Sequence, residues 1–297
     1  MKQQKHYTRP VSELKRKDCE TLIKLALEED APNGDPTSES IFHETDRGKA
    51  RIIAKESGIL CGMPVVEIVL EIFMELTGKT VALRPVFRDS LMFQSGDVLC
   101  EIEGHLTSLL RLERIILNFM QYLSGISTVT ARAVEAVPDD IIILDTRKTL
   151  PGYRKLAKYA VFCGGGSNHR INLSDMALIK DNHLAASTSI GNAITSVRMN
   201  NPNIPIEVEV DTLEQLETTL LNSADVIMLD NMDRATLEKA FRIIHNYKNP
   251  PFIEVSGGFT PEKISELRGF GRIGVSMGYL THTTRFLDLS MEFVKKI

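Results

Sequence analysis

The stretch IIILDTRKTLPGYRKLAKYAVFCGGGSNHRINLSDMALIKDNH, residues 141–183, decides the fold. It opens on a short apolar run, IIILD at 141–145, followed at once by Arg147 and Lys148. Pro151-Gly152 then turns the chain into a helical segment, and a second apolar run, ALIK at 177–180, closes the unit. The rhythm continues downstream with IEVEV at 206–210, DVIML at 225–229, FIEV at 252–255 and RIGVS at 272–276. Short apolar runs alternating with helical ones predict parallel strands joined by right-handed crossovers. Nearly every run ends in a polar or glycine-rich edge: Asp145 with Arg147 and Lys148, Lys180, Glu209, Asp230, Ser256, and Ser276 with Gly278. In a barrel of parallel strands such edges converge on one mouth, where active sites lie. Six strands within about 140 residues fall short of the ~250 residues of a complete eight-stranded barrel, so an α/β fold with an incomplete α/β barrel is expected.

Upstream the pattern differs. Residues 12–29 carry apolar positions at helical spacing, with Ser12 as the expected N-cap. GKARIIAKESGILCG, KTVALRPVF and SGDVLCEIEG read as β segments around an amphipathic helix, PVVEIVLEIFMEL. This order predicts an N-terminal α+β domain. LTSLLRLERIILNFMQYLSGISTVTARAVEAV from Leu106 is a long helical stretch, read as two helices divided near Ser124-Gly125. The expected domains are 1–120 (α+β), 121–280 (barrel) and 281–297, a closing helix that packs back on the first domain.

Composition sets limits. The 297-residue chain is 43% hydrophobic and 25% charged, the profile of a globular protein, and its net charge of −4 and pI near 6.0 exclude a generally basic nucleic-acid binder. MKQQKHYTRP lacks an apolar signal core and no later run is long enough to span a bilayer, so a cytoplasmic protein is expected. Cys19, Cys61, Cys100 and Cys163 form no CxxC pair and read as buried reduced thiols.

Any anion binding must therefore be local. Arg147 and Lys148 sit where a strand ends, whereas Lys155 and Lys158 on the following helix read as a solvated basic face. GGGSNHR combines glycines that permit close backbone approach with His169 and Arg170. With Lys180, these cations would repel one another unless a multiply charged anion, or internal pairing to Asp145, Asp175 and Asp181, compensated them. Period-two alternation in IEVEV puts Glu207 and Glu209 on the lumen side. Glu209 and Asp230 suit hydrated Mg²⁺ or ribose hydroxyls, and Ser256-Gly257-Gly258 before a helix suits phosphate.

Taken together, TRKTLPGYRKLAKYAVFCGGGSNHRINLSDMALIKDNH, IEVEVDTLEQLE, VIMLDNM, EVSGG and SMGYLTH resemble the quinolinate phosphoribosyltransferases, and EDAPNGDPTS and ERIILNFMQYLSGIST extend the resemblance over nearly the whole chain. The resemblance implies a homodimer that consumes quinolinate and phosphoribosyl pyrophosphate with Mg²⁺ as cofactor, giving nicotinate mononucleotide, CO₂ and pyrophosphate. It implies Arg147, Lys148, His169 and Arg170 around the dicarboxylate, with Arg114 as a further cation from the neighbouring subunit. Lys148 and Lys180 would meet the phosphoribosyl donor, Glu209 and Asp230 its ribose or the metal, and Ser256, Gly257, Gly258 and Gly278 its 5′-phosphate. Thr146 joins the substrate contacts, and Lys148, Lys180, Glu209 and Asp230 carry the catalytic roles. Ile273 and Tyr279 depart from the family pattern near the phosphate end. Two alternatives are a molybdenum-transport-associated relative of the same fold and a non-catalytic phosphometabolite-binding regulator; carboxylates at the mouth favour the enzyme over a pure anion binder.

Overall fold

A computed structural model describes residues 9–185 and 189–296, so MKQQKHYT, which bears on the signal-segment expectation, lies outside the described residues. The chain divides into two units.

The first unit comprises residues 11–131, 150–165 and 284–297. Its elements begin with α1 (Glu20–Asp30), α2 (Pro36–Ile41), β1 (Arg47–Ala54), β2 (Gly58–Ile59) and α3 (Met63–Thr77). They continue with β3 (Ala82–Pro85), β4 (Met92–Phe93), β5 (Val98–His105) and α4 (Leu106–Glu135), whose last residues pass into the second unit. Asp89 holds the start of α3 by accepting from the Gly62 and Met63 amides at 2.9 and 3.0 Å. Antiparallel pairing between β1 and β5 sets Arg51 opposite Glu101, and Lys49 and Arg84 also converge on that carboxylate. On the other face Ala50, Ile52 and Ile102 are buried.

Three expectations need correction here. The opening segment is a short 3-10 turn at Arg16–Asp18 followed by α1, whose N-cap is Cys19 rather than Ser12. The Leu106 stretch is one helix of 30 residues, not two. Gly125 does not break it, because the glycine serves a close approach: an added Cβ would lie 2.2 Å from the Arg285 carbonyl oxygen. The chain therefore runs as continuous helix through the boundary expected near 120, and it changes unit at 131–132.

The segment read as a closing helix is the third correction. Only the short α10 (Tyr279–His282) is helical, and Leu289–Lys296 forms a strand antiparallel to β1. Period two explains it: Leu289 and Met291 are buried while Ser290 and Glu292 point away, an alternation that suits a sheet edge with one wet face. Thus the sheet order is this last strand, then β1, β5 and β3.

The second unit, residues 132–149 and 166–283 with Arg9 and Pro10, holds the six expected strands. They are β6 (Ile141–Leu144), β7 (Ala177–Ile179), β8 (Ile206–Val210), β9 (Val226–Asp230), β10 (Phe252–Ser256) and β11 (Ile273–Ser276), which makes Leu289–Lys296 β12. Between β6 and β7 the chain makes α5 (Arg154–Cys163), part of the first unit; then come α6 (Asp181–Ala185), α7 (Ile190–Asn200), α8 (Leu213–Leu221) and α9 (Arg234–His245). All ladders are parallel and the order is β6-β11-β10-β9-β8-β7. The first strand pairs with the last, as in a barrel, while β6 and β7 remain the two edges, so the barrel is incomplete. At that seam Ser167 forms a single parallel bridge to Leu144. Val226 to Leu229 are buried without alternation, as expected for a strand covered on both faces. Ser189, Thr212 and Asp233 cap α7, α8 and α9 through their side chains, ending each turn that returns from the preceding strand.

All four cysteines are buried and free. Lys155 pairs with Asp18 at 2.6 Å, but Lys158 is fully buried, against the expectation of a solvated basic face. It lies within the run Leu156–Val161 of α5, every residue of which is buried.

Gly→Ala in an exposed helix interior stabilises by about 1 kcal/mol. At Gly125 the Arg285 backbone reverses the sign: Gly125→Ala should destabilise by about 1–3 kcal/mol, read as a lower denaturant midpoint in equilibrium unfolding.

Candidate active site

Strand ends of the second unit surround a cavity of about 1020 Å³. Thr146, Arg147, Lys148, His169, Arg170, Lys180, Glu209, Asp230 and Ser256 all line it. The register explains the convergence: Ser256 lies opposite both Asp230 and Ser276, and Ser276 lies opposite Leu144, the residue before the Asp145 edge.

Asp145 organises the cationic side. It is fully buried, and its two oxygens accept from the His169 amide at 2.8 Å and the Asn168 side chain at 2.7 Å. Ser167 adds backbone bonds on either side, donating to Ile143 and accepting from Asp145. The glycine run thus delivers His169 and Arg170 to the end of β6. Asp175 has a similar local task, accepting from the Ile171 and Asn172 amides. Both acids thus take backbone or amide donors, and Asp175 also acts on Arg170, so internal compensation accounts for part of the cationic charge.

The cations are correspondingly exposed to one another's charge. Burial, and then the Arg147 guanidinium, lower the Arg170 pKa below its usual range, with Glu207 and Asp175 acting in the opposite sense. Arg170 donates to the Met176 carbonyl at 2.9 Å, whereas Arg147 Nε is buried with no hydrogen-bond acceptor. Among the described residues no carboxylate lies within ion-pair distance of Arg147, Lys148, Arg170 or Lys180. An orphaned guanidinium donor beside a second guanidinium is a site for an acceptor-rich anion.

His169 is placed differently from the other cationic candidates. Its Nδ1 accepts the Arg170 amide at 2.8 Å, so the ring proton belongs on Nε2, which faces inward. Nε2 lies 3.0 Å from Glu207 Oε2 and 3.6 Å from Glu254 Oε2. Glu254 was not among the expected residues. The period-two reading applied to IEVEV would have found it, since Glu254 and Ser256 share a face of β10 just as Glu207 and Glu209 share one of β8.

On the opposite wall Glu209 is half-buried, and its pKa is raised by burial, then by Asp230 and Asp181, with Lys180 offsetting part. Two crowded carboxylates beside the cations are oxygen donors suited to a hard divalent ion or to hydroxyls. Ser256 ends β10 on the cavity, but Gly257 and Gly258 line a neighbouring pocket of about 270 Å³ with Asp233, Arg234 and Lys263. Gly257 has φ +131 and an added Cβ would lie 3.0 Å from the Asn231 backbone, so both conformation and space require glycine. At Gly278 an added Cβ would lie 2.9 Å from Lys148 Cδ, so a larger residue there would displace the Lys148 side chain. The departures fall apart in space. Ile273 begins β11 opposite Ile141, three residues before the rim, while Tyr279 directly follows Gly278 and starts α10. Arg114 lies on α4, in the first unit.

Similarity to known proteins extends over nearly the whole chain. Residues 35–124 match the family described as quinolinate phosphoribosyl transferase, N-terminal domain, and residues 126–292 match its C-terminal domain. Over 274 residues the chain is 41% identical to a probable nicotinate-nucleotide pyrophosphorylase (carboxylating) of Bacillus subtilis, covering 91% of this chain and 92% of that one. It is 38% identical over 282 residues to the nicotinate-nucleotide pyrophosphorylase (carboxylating) of Mycobacterium leprae, covering 93% and 99%. The crystal structure of NadC from Streptococcus pyogenes superposes with a TM-score of 0.90 at 39% identity, over 96% of this chain and 99% of that one. The two matched domains together span most of the sequence, and the chain belongs to the quinolinate phosphoribosyl transferase family.

Proposed function

We propose that this enzyme transfers the phosphoribosyl group of phosphoribosyl pyrophosphate to quinolinate with loss of CO₂, giving nicotinate mononucleotide and pyrophosphate for NAD synthesis. The observation that carries the reading is the paired guanidinium groups of Arg147 and Arg170, one with an orphaned buried donor, at the edge of a cavity large enough for both substrates. Planar guanidinium groups hold carboxylates through paired N–H bonds, and quinolinate offers two carboxylates. Lys148 and Lys180 are point charges for the phosphates of the donor. Glu209 and Asp230 take the ribose hydroxyls or Mg²⁺, and Ser256 with the amides of Gly257 and Gly258 takes the 5′-phosphate. Bound Mg²⁺ would supply counter-charge for the pyrophosphate oxygens.

In the chemistry, the C1–O bond of the ribose breaks, its electron pair leaves with pyrophosphate, and the pyridine nitrogen forms the new bond to C1. The ring, now a pyridinium, accepts the electron pair released when the adjacent carboxylate departs as CO₂, and a proton from solvent completes the product. No nucleophile of the chain is required. Its residues hold the two substrates in line and stabilise developing charge, which are the dominant sources of rate in such a transfer. The active form is a cytoplasmic homodimer in which Arg114 of a second copy adds a further cation. No described helix is long and apolar enough to cross a membrane.

Purified protein with Mg²⁺ and phosphoribosyl pyrophosphate should release CO₂ from carboxyl-labelled quinolinate, and nicotinate should yield no mononucleotide; a folded protein inert toward quinolinate refutes the assignment. Lys148→Ala should lower kcat by about 10²-fold or more with the circular dichroism spectrum unchanged, and near-normal turnover would remove Lys148 from its role. Arg170→Lys loses the planar fork while keeping the charge, so the KM for quinolinate should rise by about tenfold with a smaller change in kcat, measured by steady-state kinetics.

A further inference from the structure

Beneath the anion site lies a group of acids that the transfer chemistry does not use. Glu207 on β8 and Glu254 on β10 are fully buried, and donors near them are few: the His169 ring N–H beside Glu207 and the Ser276 hydroxyl beside Glu254. They meet at one imidazole: Nε2 of His169 lies 3.0 Å from Glu207 and 3.6 Å from Glu254, and the three groups bring one atom each within 4.8 Å of one another. His169 cannot serve there as a metal ligand in this arrangement, because Nδ1 takes the Arg170 amide and Nε2 carries the proton.

Two ionised carboxylates side by side, buried and short of donors, carry a desolvation and repulsion cost that proteins relieve by keeping one of them protonated. The surroundings decide which. Glu207 has the shorter approach to the His169 ring proton and also feels Arg170. Glu254 is opposite Met228 of β9 and Gly274 of β11, neither of which offers a charge, and Ser276 on β11 is the nearest hydroxyl. Burial pushes the Glu254 carboxyl up to about 8, the Ser276 hydroxyl offsetting part.

We propose that Glu254 is a positioning residue that carries a buried proton under His169, and that this neutral acid keeps the dicarboxylate pocket free of a second buried negative charge. The inference rests on quinolinate being the substrate. The sign follows directly: Glu254 is neutral below about pH 8 and ionised above it. Once ionised, it adds a negative charge 3.6 Å from His169 Nε2, on the floor of the pocket whose rim carries Arg147, Lys148, Arg170 and Lys180. Binding of a dianion weakens, and His169 is drawn away from the orientation set by Glu207 and the Arg170 amide.

The test is the pH dependence of kcat/KM for quinolinate, followed by CO₂ release at saturating phosphoribosyl pyrophosphate and Mg²⁺. In the wild type kcat/KM should fall about tenfold per pH unit above about pH 8, chiefly through KM. Glu254→Gln mimics the protonated acid permanently, so its kcat/KM values at about pH 7 and about pH 9 should agree within about twofold. A variant that keeps the full alkaline fall overturns the proposal. The second measurement needs no variant: the infrared spectrum of the wild-type protein should show a protonated-carboxyl C=O band at neutral pH that disappears across about pH 8. Absence of such a titrating band overturns the proposal even if Glu254→Gln does not fold. A folded chain that shows the band but releases no CO₂ from quinolinate at any pH refutes the substrate assignment and with it the role in quinolinate binding, leaving only the buried proton.

Discussion

A carboxylate with no exposure to solvent has to find its donors within the protein, and Asp145 finds them in the His169 amide and the Asn168 side chain. These two bonds fasten the segment after the glycine run to the end of β6. With the Ser167 bridge, the Asp175 turn and the Arg170 bond to Met176, they hold a stretch that spans the seam between β6 and β7. The placement of both His169 and Arg170 therefore depends on one buried acid. Arg147 follows that acid by two residues, just past the end of β6, so the buried carboxylate lies close in sequence or by hydrogen bond to the backbone from which both arginines start.

The site as a whole is arranged around charges that are not mutually cancelled. Arg147 and Arg170 feel each other's charge, and Glu209 and Asp230 feel each other's, while Glu207 and Glu254 meet at His169. The arginine pair and the Glu209–Asp230 pair are each costly when the cavity is empty. A substrate set that brings carboxylates to the arginines and hydroxyls or a cation to the acids relieves both costs together, so binding energy comes from the relief of repulsion as well as from new contacts.

Much of this was legible before the structure. The six parallel strands follow from short apolar runs with polar C-terminal edges, and most of the residues named on those edges line one cavity, Asp145 being buried behind it. What the sequence concealed has physical causes. Lys158 reads as solvated because charge usually implies water, but its helix is buried along a whole run. Ser124-Gly125 reads as a break because glycine weakens helices, yet here the glycine answers to a neighbouring carbonyl that only the tertiary structure supplies. LSMEFVKK reads as helix from its composition, and its period-two alternation becomes decisive only beside β1. Glu254 escaped because a lone acid in a buried strand has no partner in its own segment; its partners lie on β8 and before β7.

The pairing of β6 with β11 and of β1 with β12 has a consequence for how the chain assembles. In each sheet an early strand finds its neighbour only after most of the intervening sequence has been made. Neither sheet can be completed by local steps, so the loop-closure entropy is met late and folding is slow relative to a protein of local contacts. During synthesis the edge of β1 facing β12 and the edge of β6 facing β11 stay open, each an unpaired template for another chain. Protection of those edges in the nascent protein, by a chaperone or by rapid capture of the downstream strand, is part of what this architecture demands.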